Sequence, residues 1–546
     1  MNFIFKYIRS QQLNFGCLTL FCTMNLKEFD YIIAGAGSAG CVLANRLSEN
    51  PKCKVALIEA GGSDRNFFVK TPAAFSKLFK SKRDWAFESS PQEALNNQKM
   101  FSPRGKMLGG CSSMNAMIFT RPHPLDIKEW QNFGLRDFEW DQCLKYLIKA
   151  EQQMGFDHED GEAISKEDFF IHPLSQQFIQ ATSEYGWLTN KCSSSIHSGS
   201  KYFLKNIKNG RRFSVVDAYI KPISGRKNLT IFKNSLVTKI LIEKDQAFGI
   251  EFIQNASMHQ FTCNRELILS AGAFQTPQLL MLSGIGDPTQ LGKLRIQTVL
   301  DNKSVGRHLK DHLICGMAFR LKDGVASLDE LNQVYPALKN LFNYLTNHQG
   351  SFCSNIAEAG AFINTTAQSD RPNLEFHFGP AFFIQHGFIK PKPHGISFGP
   401  SLLHPESEGQ IQLLSKDPYA PPIIDPNYFQ RDADLQLMIE GLKITRELSR
   451  QIAFINTIKS LEYPNQEPQT DQDYLKHLRQ FSQTLYHPSG TCRMSETDDG
   501  VVNSEFKVKG MDKLRICDAS VFPTTVSSNT QATVLMLAEK LASQLK

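Results

Sequence analysis

The chain has 546 residues, 41% hydrophobic and 21% charged, an ordinary globular composition that excludes disordered and fibrous classes and is long enough to bury a large core. Its net charge of +6, from 60 basic and 54 acidic residues, comes without a marked Lys/Arg block, so nucleic-acid binding is not indicated. Twelve cysteines are scattered with no CxxC pair and no accompanying histidine spacing, so no zinc or iron–sulfur site can be read and most are expected to be small buried hydrophobes of a reducing compartment.

At the N-terminus, Lys6 and Arg9 precede a short apolar stretch, Phe15 to Cys22, and no acid occurs before Glu28. This loosely resembles a signal or transit peptide, but alanines and a small-residue cleavage site are missing. The favoured reading is a disordered extension over 1–26, or a start assigned upstream with Met24 the real beginning. No run of about eighteen apolar residues suggests a membrane-spanning helix. The expected location is cytoplasmic or at a membrane periphery.

Asp30 to Gly62 is the most informative stretch. An apolar strand (Tyr31 to Ala34), a glycine-rich turn, a helical segment, a second apolar strand (Val55 to Ile58) and Glu59 follow in order. Gly35 and Gly37 let the backbone turn tightly and approach a pyrophosphate, and Gly40 lets the helix pack closely on the sheet. Ala36, Ser38 and Ala39 complete the turn, and the helix N-terminus offers unpaired N–H groups to phosphate. Glu59, followed by Ala60, stands 19 residues after Gly40, where a carboxylate accepts both hydroxyls of an adenosine ribose. The unit therefore predicts a dinucleotide without a 2′-phosphate, held on a Rossmann-like α/β fold.

Further along, Phe67 to Trp85 reads as irregular connection. Ser102 to Pro122 is dense in Gly and Ser, which suggests a loop whose backbone amides face a ligand. Phe138 to Met154 has helical spacing, a helical patch lies near Phe178 to Tyr185, and Leu229 to Phe252 alternates like a small antiparallel sheet. Glu266 to Ala271 is a compact strand leading into a helix with Pro277 in its first turn, ended by Gly284, Gly286 and Pro288. From about Leu321 to Pro464 the texture is Phe-rich and alternating (Glu375 to Phe378, Ile396 to Leu403, Gly409 to Leu414), a mixed α+β insert suited to a substrate wall. Thr470 and Asp473 form a capping-box pattern, and an apolar helix closes the chain from about Thr530.

Five stretches, DYIIAGAGSAGCVLANRL, SPRGKMLGGCSSMNAMIFTR, SAGAFQTPQLLMLSGIGDP, HPSGTCRM and LRICDASVFPTTVSSNTQATVLMLAEKLA, resemble in that order the motifs of the glucose–methanol–choline (GMC) oxidoreductases, nearest to choline and other alcohol dehydrogenases. The resemblance implies FAD as the dinucleotide and a discontinuous FAD-binding domain (27–160, 205–320 and 485–546) with an inserted α+β substrate-binding domain (161–204 and 321–484). It also implies oxidation of a primary alcohol, choline or a similar one, with a quinone, respiratory chain or oxygen as electron acceptor. Gly35, Gly37, Gly40 and Glu59 match the ADP-binding part of the family. Arg104, Gly105, Gly109, Gly110, Asn115 and Ala116 match the loop along the pyrophosphate and flavin, Val237 the strand near adenine, and Asp518 and Ala519 the stretch beside the ribityl chain. His487 falls on the catalytic histidine and Asn529 on a second active-site position that is His or Asn across the family.

Alone, a His before Pro-Ser-Gly is an ordinary turn residue and Asn529 an ordinary N-cap; together in matched motifs they read as catalytic. A histidine near neutral pKa suits the base that an alcohol needs as hydride leaves, and Asn529 can donate to the same oxygen. The helix starting near Thr530 would point its positive end at the flavin N1–C2=O edge. Met114 stands where some members carry a histidine that links covalently to flavin, so non-covalent FAD is expected. Thr120-Arg121-Pro122 and Leu402 to Gly409 depart from the usual pattern and are expected toward the substrate side. For a quaternary ammonium, Phe376, Phe378, Phe382, Phe383 and Glu358 lie in the right region. Tyr486 and Arg493 read as packing and surface residues. Competing readings are an oxygen-using oxidase, a lyase or photoenzyme on the same fold, and a catalytically silent flavin-binding protein.

Overall fold

The computed structural model describes residues 27–167, 169–366, 370–392 and 394–546. The extension expected over 1–26 lies outside them.

The opening strand, Lys27–Ala34, sits inside a seven-stranded sheet. Its inner residues Ile32 and Ile33 are fully buried, and Val55–Ile58 is buried at every position, the unbroken apolar run that a parallel strand covered on both faces requires. Across the sheet run Leu229–Phe232, Val55–Ile58, Lys27–Ala34, Ser257–Leu269, Gln246–Gln254 and Ser235–Glu243, with Leu514–Ile516 beside the end of Ser257–Leu269. Ser257–Leu269 joins two regimes, since it pairs parallel with Lys27–Ala34 and Leu514–Ile516 and antiparallel with Gln246–Gln254.

Two expectations change here. Leu229–Phe232 is not part of the antiparallel group; it extends the parallel edge beside Val55–Ile58, and Asn234 at φ 53 turns the chain before the antiparallel strands begin. The compact strand expected from Glu266 is only the end of a 13-residue strand, which stops at Leu269 and leaves Ser270 and Ala271 in the turn that follows.

The segment expected to be irregular after Gly62 holds a short helix, Phe67–Lys70, capped by the Asn66 side chain, and a 3-10 turn, Pro72–Leu78, begun by its proline. Short elements of this kind give too few residues for periodicity to register. The helices Ser38–Leu47, Trp140–Gln153 and Gln531–Gln544 pack together, and Arg46 clasps the buried Glu539 through N···O contacts of 2.8 to 3.0 Å. The end of the chain is thereby fixed against its first helix. Ten described cysteines are free, and eight of them are buried.

The second sheet has eight strands. Ile458–Tyr463, Met317–Leu321, Gly395–Leu402, Leu374–Gly379, Ala359–Ile363 and Gly199–Tyr202 lie side by side, all antiparallel, and Leu313–Ile314 links Gly395–Leu402 to Gln483–Thr484. It therefore begins ahead of residue 321. Gln410–Gln412 does not join it, pairing only with Ile423–Asp425, and Ile411 and Ile424 pack into the core of the first sheet. Much of the Phe-rich texture of the insert is its own core. Phe178 stacks on Phe378 at 4.7 Å and Phe319 on Phe398 at 5.2 Å, with Met438 and Leu442 of helix Asp432–Ser449 in the same cluster. The Thr470–Asp473 capping box is present.

Candidate active site

A single cleft runs from the first glycine turn to the last helix and encloses about 2710 Å³ of empty space, its open mouth included. Its wall reaches from the glycine turn at Gly35 to Gln531 at the head of the last helix, an extent that suits an elongated ligand such as a dinucleotide. Of the residues expected to hold the dinucleotide, Gly35, Gly37, Ser38, Ala39, Glu59, Ala60, Arg104, Gly105, Gly110, Asn115, Ala116, Val237, Asp518, Ala519 and Thr530 line the cleft. Ala36, Gly40 and Gly109 are not in its wall. A Cβ on Gly40 would lie 1.9 Å from the Gly35 carbonyl oxygen, so this glycine serves the close packing of helix against turn. The amide of Gly109 donates to the Ala36 carbonyl at 2.8 Å, tying the second loop to the first.

Helix Ser38–Leu47 has Gly37 at its N-cap and no side-chain cap, so its first N–H groups are left for a ligand anion. A Cβ on Gly37 would meet nothing closer than 3.9 Å, which leaves the approach open. Glu59 accepts the Ala36 amide at 3.0 Å and the Gly61 amide at 2.8 Å, and its remaining lone pairs are free for ribose hydroxyls. Burial pushes its carboxyl up to about 7. Asp518 is committed to the turns beside it: it accepts the Gly272 amide at 2.8 Å, the Thr276 hydroxyl at 2.6 Å and the Ser520 amide at 2.8 Å. It therefore holds the turn Ser270 to Ala273, which lines the cleft opposite Gly35 and which sequence reading placed only beside the nucleotide fold. These residues fit a dinucleotide cofactor.

At the far end, His487 and Asn529 come together from 42 residues apart, Nε2 to Nδ2 at 3.3 Å. Asn529 is not the helix cap. That position belongs to Thr530, which makes no side-chain cap bond, so the Asn529 amide is free to face the histidine. The other ring nitrogen of His487, Nδ1, lies 2.9 Å from Nδ1 of His312. Burial, with His312, His377 and Arg104 nearby, drives the His487 pKa well below 6.5 and keeps the ring neutral. Burial also lowers His312 to about 4.

Several residues behind this pair carry no obvious motif. Asp311, fully buried with its pKa raised by that burial, accepts the backbone amide of His487 at 2.8 Å, the Tyr428 hydroxyl at 2.6 Å and the Thr484 hydroxyl at 2.5 Å. Asp126 accepts both the amide and the hydroxyl of Ser527 at 2.7 Å and so fixes the turn that delivers Asn529. Asn115 donates to Gln531 at 2.6 Å and accepts from the buried Arg212 at 2.8 Å. His377 lines the cleft, backed by Glu375 at 3.3 Å. The one signal for these in the sequence is polar residues set in apolar runs, such as Asp311-His312 before Leu313.

Other expectations are corrected. Tyr486 does more than pack: its hydroxyl lies 2.7 Å from Nδ1 of His386, its carbonyl accepts from Arg104 at 2.8 Å, and it takes φ 71 beside His487. Arg493 is buried, not on the surface, and pairs with Asp499. Neither departing segment lines the cleft. Arg121 forms a buried bidentate pair with Glu151, at 2.6 Å to each oxygen, and His404 bonds Ser527 at 2.8 Å from behind. Glu358 is sealed inside the protein by His172, Ser175 and Ser354, away from the cleft, and Phe376 and Phe382 are not in its wall either.

The GMC oxidoreductase model for the N-terminal region matches residues 29–314, and that for the C-terminal region matches 405–538. The chain belongs to the GMC oxidoreductase family. An alcohol dehydrogenase [acceptor] of Pseudomonas putida is 38% identical over 528 residues, covering 94% of this chain and 95% of the relative. An oxygen-dependent choline dehydrogenase of Acinetobacter baumannii (strain AYE) is 35% identical over 544 residues, with 96% and 97% covered. Among solved structures, pyridoxine 4-oxidase from Mesorbium loti superposes with a TM-score of 0.83 at 27% identity, covering 94% of this chain and 99% of that one. Formate oxidase from Aspergillus oryzae RIB40, in a study of FAD modification, does so with a TM-score of 0.86 at 28% identity, covering 95% and 98%. This GMC oxidoreductase has the fold of a flavoprotein, and the cradle from Gly35 to Glu59 fits the nucleotide half of such a cofactor. At the far end of the same cleft His487 and Asn529 meet.

Proposed function

We propose that this flavoprotein oxidises an uncharged alcohol to the carbonyl compound, with His487 as base and FAD held non-covalently. A bound flavin supplies the hydride acceptor. The observation that carries the reading is the neutral His487 at the cleft wall, braced by His312 on one nitrogen and facing Asn529 on the other. Since an amide nitrogen only donates, Nε2 of His487 presents its lone pair to Asn529, and the ring proton sits on Nδ1, donated to His312. An alcohol hydroxyl entering between them gives its proton to Nε2 while the Asn529 amide donates to the same oxygen. Met114, whose thioether offers no nitrogen nucleophile, supports non-covalent attachment.

Choice of an uncharged alcohol over choline rests on the wall. Glu59 and Asp518 are the carboxylates that line the cleft among the described residues, and both are committed near the nucleotide. Beyond them stand Phe75, Phe79, Met317, Ile384, Phe398 and Phe481: the rings offer faces to a quaternary ammonium, but the wall there holds no carboxylate to complete its recognition.

The test is anaerobic reduction of the purified yellow protein by a panel of alcohols, repeated with oxygen and with a quinone-like dye to assign the acceptor. Aliphatic and benzylic alcohols should bleach the flavin and choline should not; bleaching by choline alone would overturn the substrate reading. His487→Ala should keep its flavin and lose about 10²- to 10⁴-fold in the rate of reduction. A variant reduced as fast as wild type would remove the base.

A further inference from the structure

Helix Val334–Asn347 has its polarity inverted. Val334 is 80% exposed, Tyr335 79%, Leu338 60%, Phe342 71% and Leu345 58%, while Asn340 turns inward to donate to Glu330 at 3.2 Å. A surface helix of a globular protein does the reverse. Single exposed apolar residues are commonplace, but this stripe continues: Tyr344 meets Phe67 at 6.3 Å and Phe67 meets Phe68 at 5.8 Å, and both phenylalanines are exposed.

Cations gather round it. Segments 66–83, 333–352 and 382–392 contain Lys70, Lys77, Lys80, Lys82, Arg83, Lys339, Lys390 and Lys392, with no Asp or Glu. They carry +8 in a chain of net +6, so the remainder carries −2. Lys70 is spoken for by Asp64 and Asp217. The others include Lys390, which donates to Asn332 at the start of the helix at 2.7 Å, and Lys80, which sits 4.9 Å over the ring of the exposed Phe388. Burial and, after it, the nearby Lys77 lower the Lys390 pKa. Lys80, Lys390 and, beside it, Lys77 are thus brought to the rim of the helix that carries Lys339, with the Glu330 carboxylate on its inner side at Asn340.

We propose that helix Val334–Asn347, with Phe67, Phe68 and Phe388, is an interfacial anchor that docks this enzyme on an anionic phospholipid surface. The apolar stripe enters the headgroup boundary and the lysines meet lipid phosphates, the combination by which amphipathic helices lie in a membrane plane. A second copy of the chain is the poorer occupant, because a two-fold contact would set the cationic rim against itself. No helix among the described residues is long and apolar enough to cross a membrane, so attachment through this face is in-plane. The same segments contribute Phe75, Phe79, Phe383 and Ile384 to the cleft wall, so the docked face adjoins the reactive end.

The experiment is co-sedimentation of the flavin-loaded full chain with phosphatidylcholine vesicles, with and without phosphatidylglycerol. Wild type should bind the anionic vesicles and release in high salt. Leu338→Asp/Phe342→Asp should weaken binding by about 100-fold with activity on a soluble alcohol unchanged, and Lys77→Gln/Lys390→Gln should weaken it on anionic vesicles only. Wild type that stays in the supernatant, or a Leu338/Phe342 variant that binds as tightly, overturns the proposal. So does a concentration-dependent dimer that the same variant dissolves while vesicles bind neither.

Discussion

Replacing Asp311 with alanine tests whether the histidine is placed by the carboxylate beneath it. The substitution strips three buried donors of their acceptor: the His487 amide, the Tyr428 hydroxyl and the Thr484 hydroxyl. At about 1–3 kcal/mol for each buried group left unpaired, the folded state should lose about 3 kcal/mol or more, seen as a lower melting midpoint. The larger consequence is positional. His487 is held between Asp311 through its backbone and His312 and Asn529 through its ring, and a displacement of about 1 Å at a base costs on the order of 100-fold in turnover. Asp311→Asn is the control, since its carbonyl oxygen can still accept the His487 amide and the two hydroxyls can rotate to meet the new NH₂. The assay is single-turnover flavin reduction with flavin content measured alongside. Asp311→Ala should keep its flavin, melt earlier and fall by about 100-fold in rate, whereas Asp311→Asn should recover most of it. An alanine variant that melts earlier yet reduces its flavin at the wild-type rate would refute a positioning role.

Gly40→Ala places a methyl 1.9 Å from the Gly35 carbonyl oxygen, against backbone that cannot move without disturbing the phosphate turn. The variant should purify with little flavin but with unchanged far-UV circular dichroism; a full flavin complement would show that the turn tolerates the shift. The pH dependence of kcat/KM should be level from neutrality down past 6.5, because burial holds His487 well below that value and the base is lost only when the ring protonates. A limb centred at 6.5 would contradict the burial argument. Asn529→Asp puts a carboxylate at the His487 ring and favours its charged form, so the acid limb should move up in pH and the rate near neutrality should fall.

Sequence legibility follows how local the chemistry is. Gly35 to Glu59 is one continuous strand–helix–strand unit, and its turn, its helix start and its acid are fixed by contacts within 25 residues, so each could be read in place. The Thr470–Asp473 cap is local for the same reason. His487 and Asn529 could be named only through their motifs, since nothing in spacing brings them to 3.3 Å. Asp311, His312 and Asp126 went unread because each acts across more than 100 residues on a neighbour that only the fold supplies. Arg493 was misplaced by residue type, charge being read as exposure, whereas Glu358 was read as a carboxylate for a quaternary ammonium and the fold instead seals it against His172, Ser175 and Ser354.

The apolar residues present a harder ambiguity. In Leu374–Gly379 the alternation marks two faces of a strand, but every residue is buried: Phe378 packs against Phe178 and Phe398 on one face, His377 and Gly379 stand on the other, and all three line the cleft. Alternation separates the faces and does not say which one a ligand will cover. Helix Val334–Asn347 shows the converse: its stripe of Val334, Leu338, Phe342 and Leu345 has core spacing, and periodicity would bury it, yet the fold turns it out and sets lysines around it. A hydrophobic pattern reports only that a surface avoids water. Whether protein, substrate or lipid covers it is decided by charge at the rim, and here the rim is basic along the anchor helix while the cleft wall beyond the nucleotide half holds no anion for a cationic alcohol.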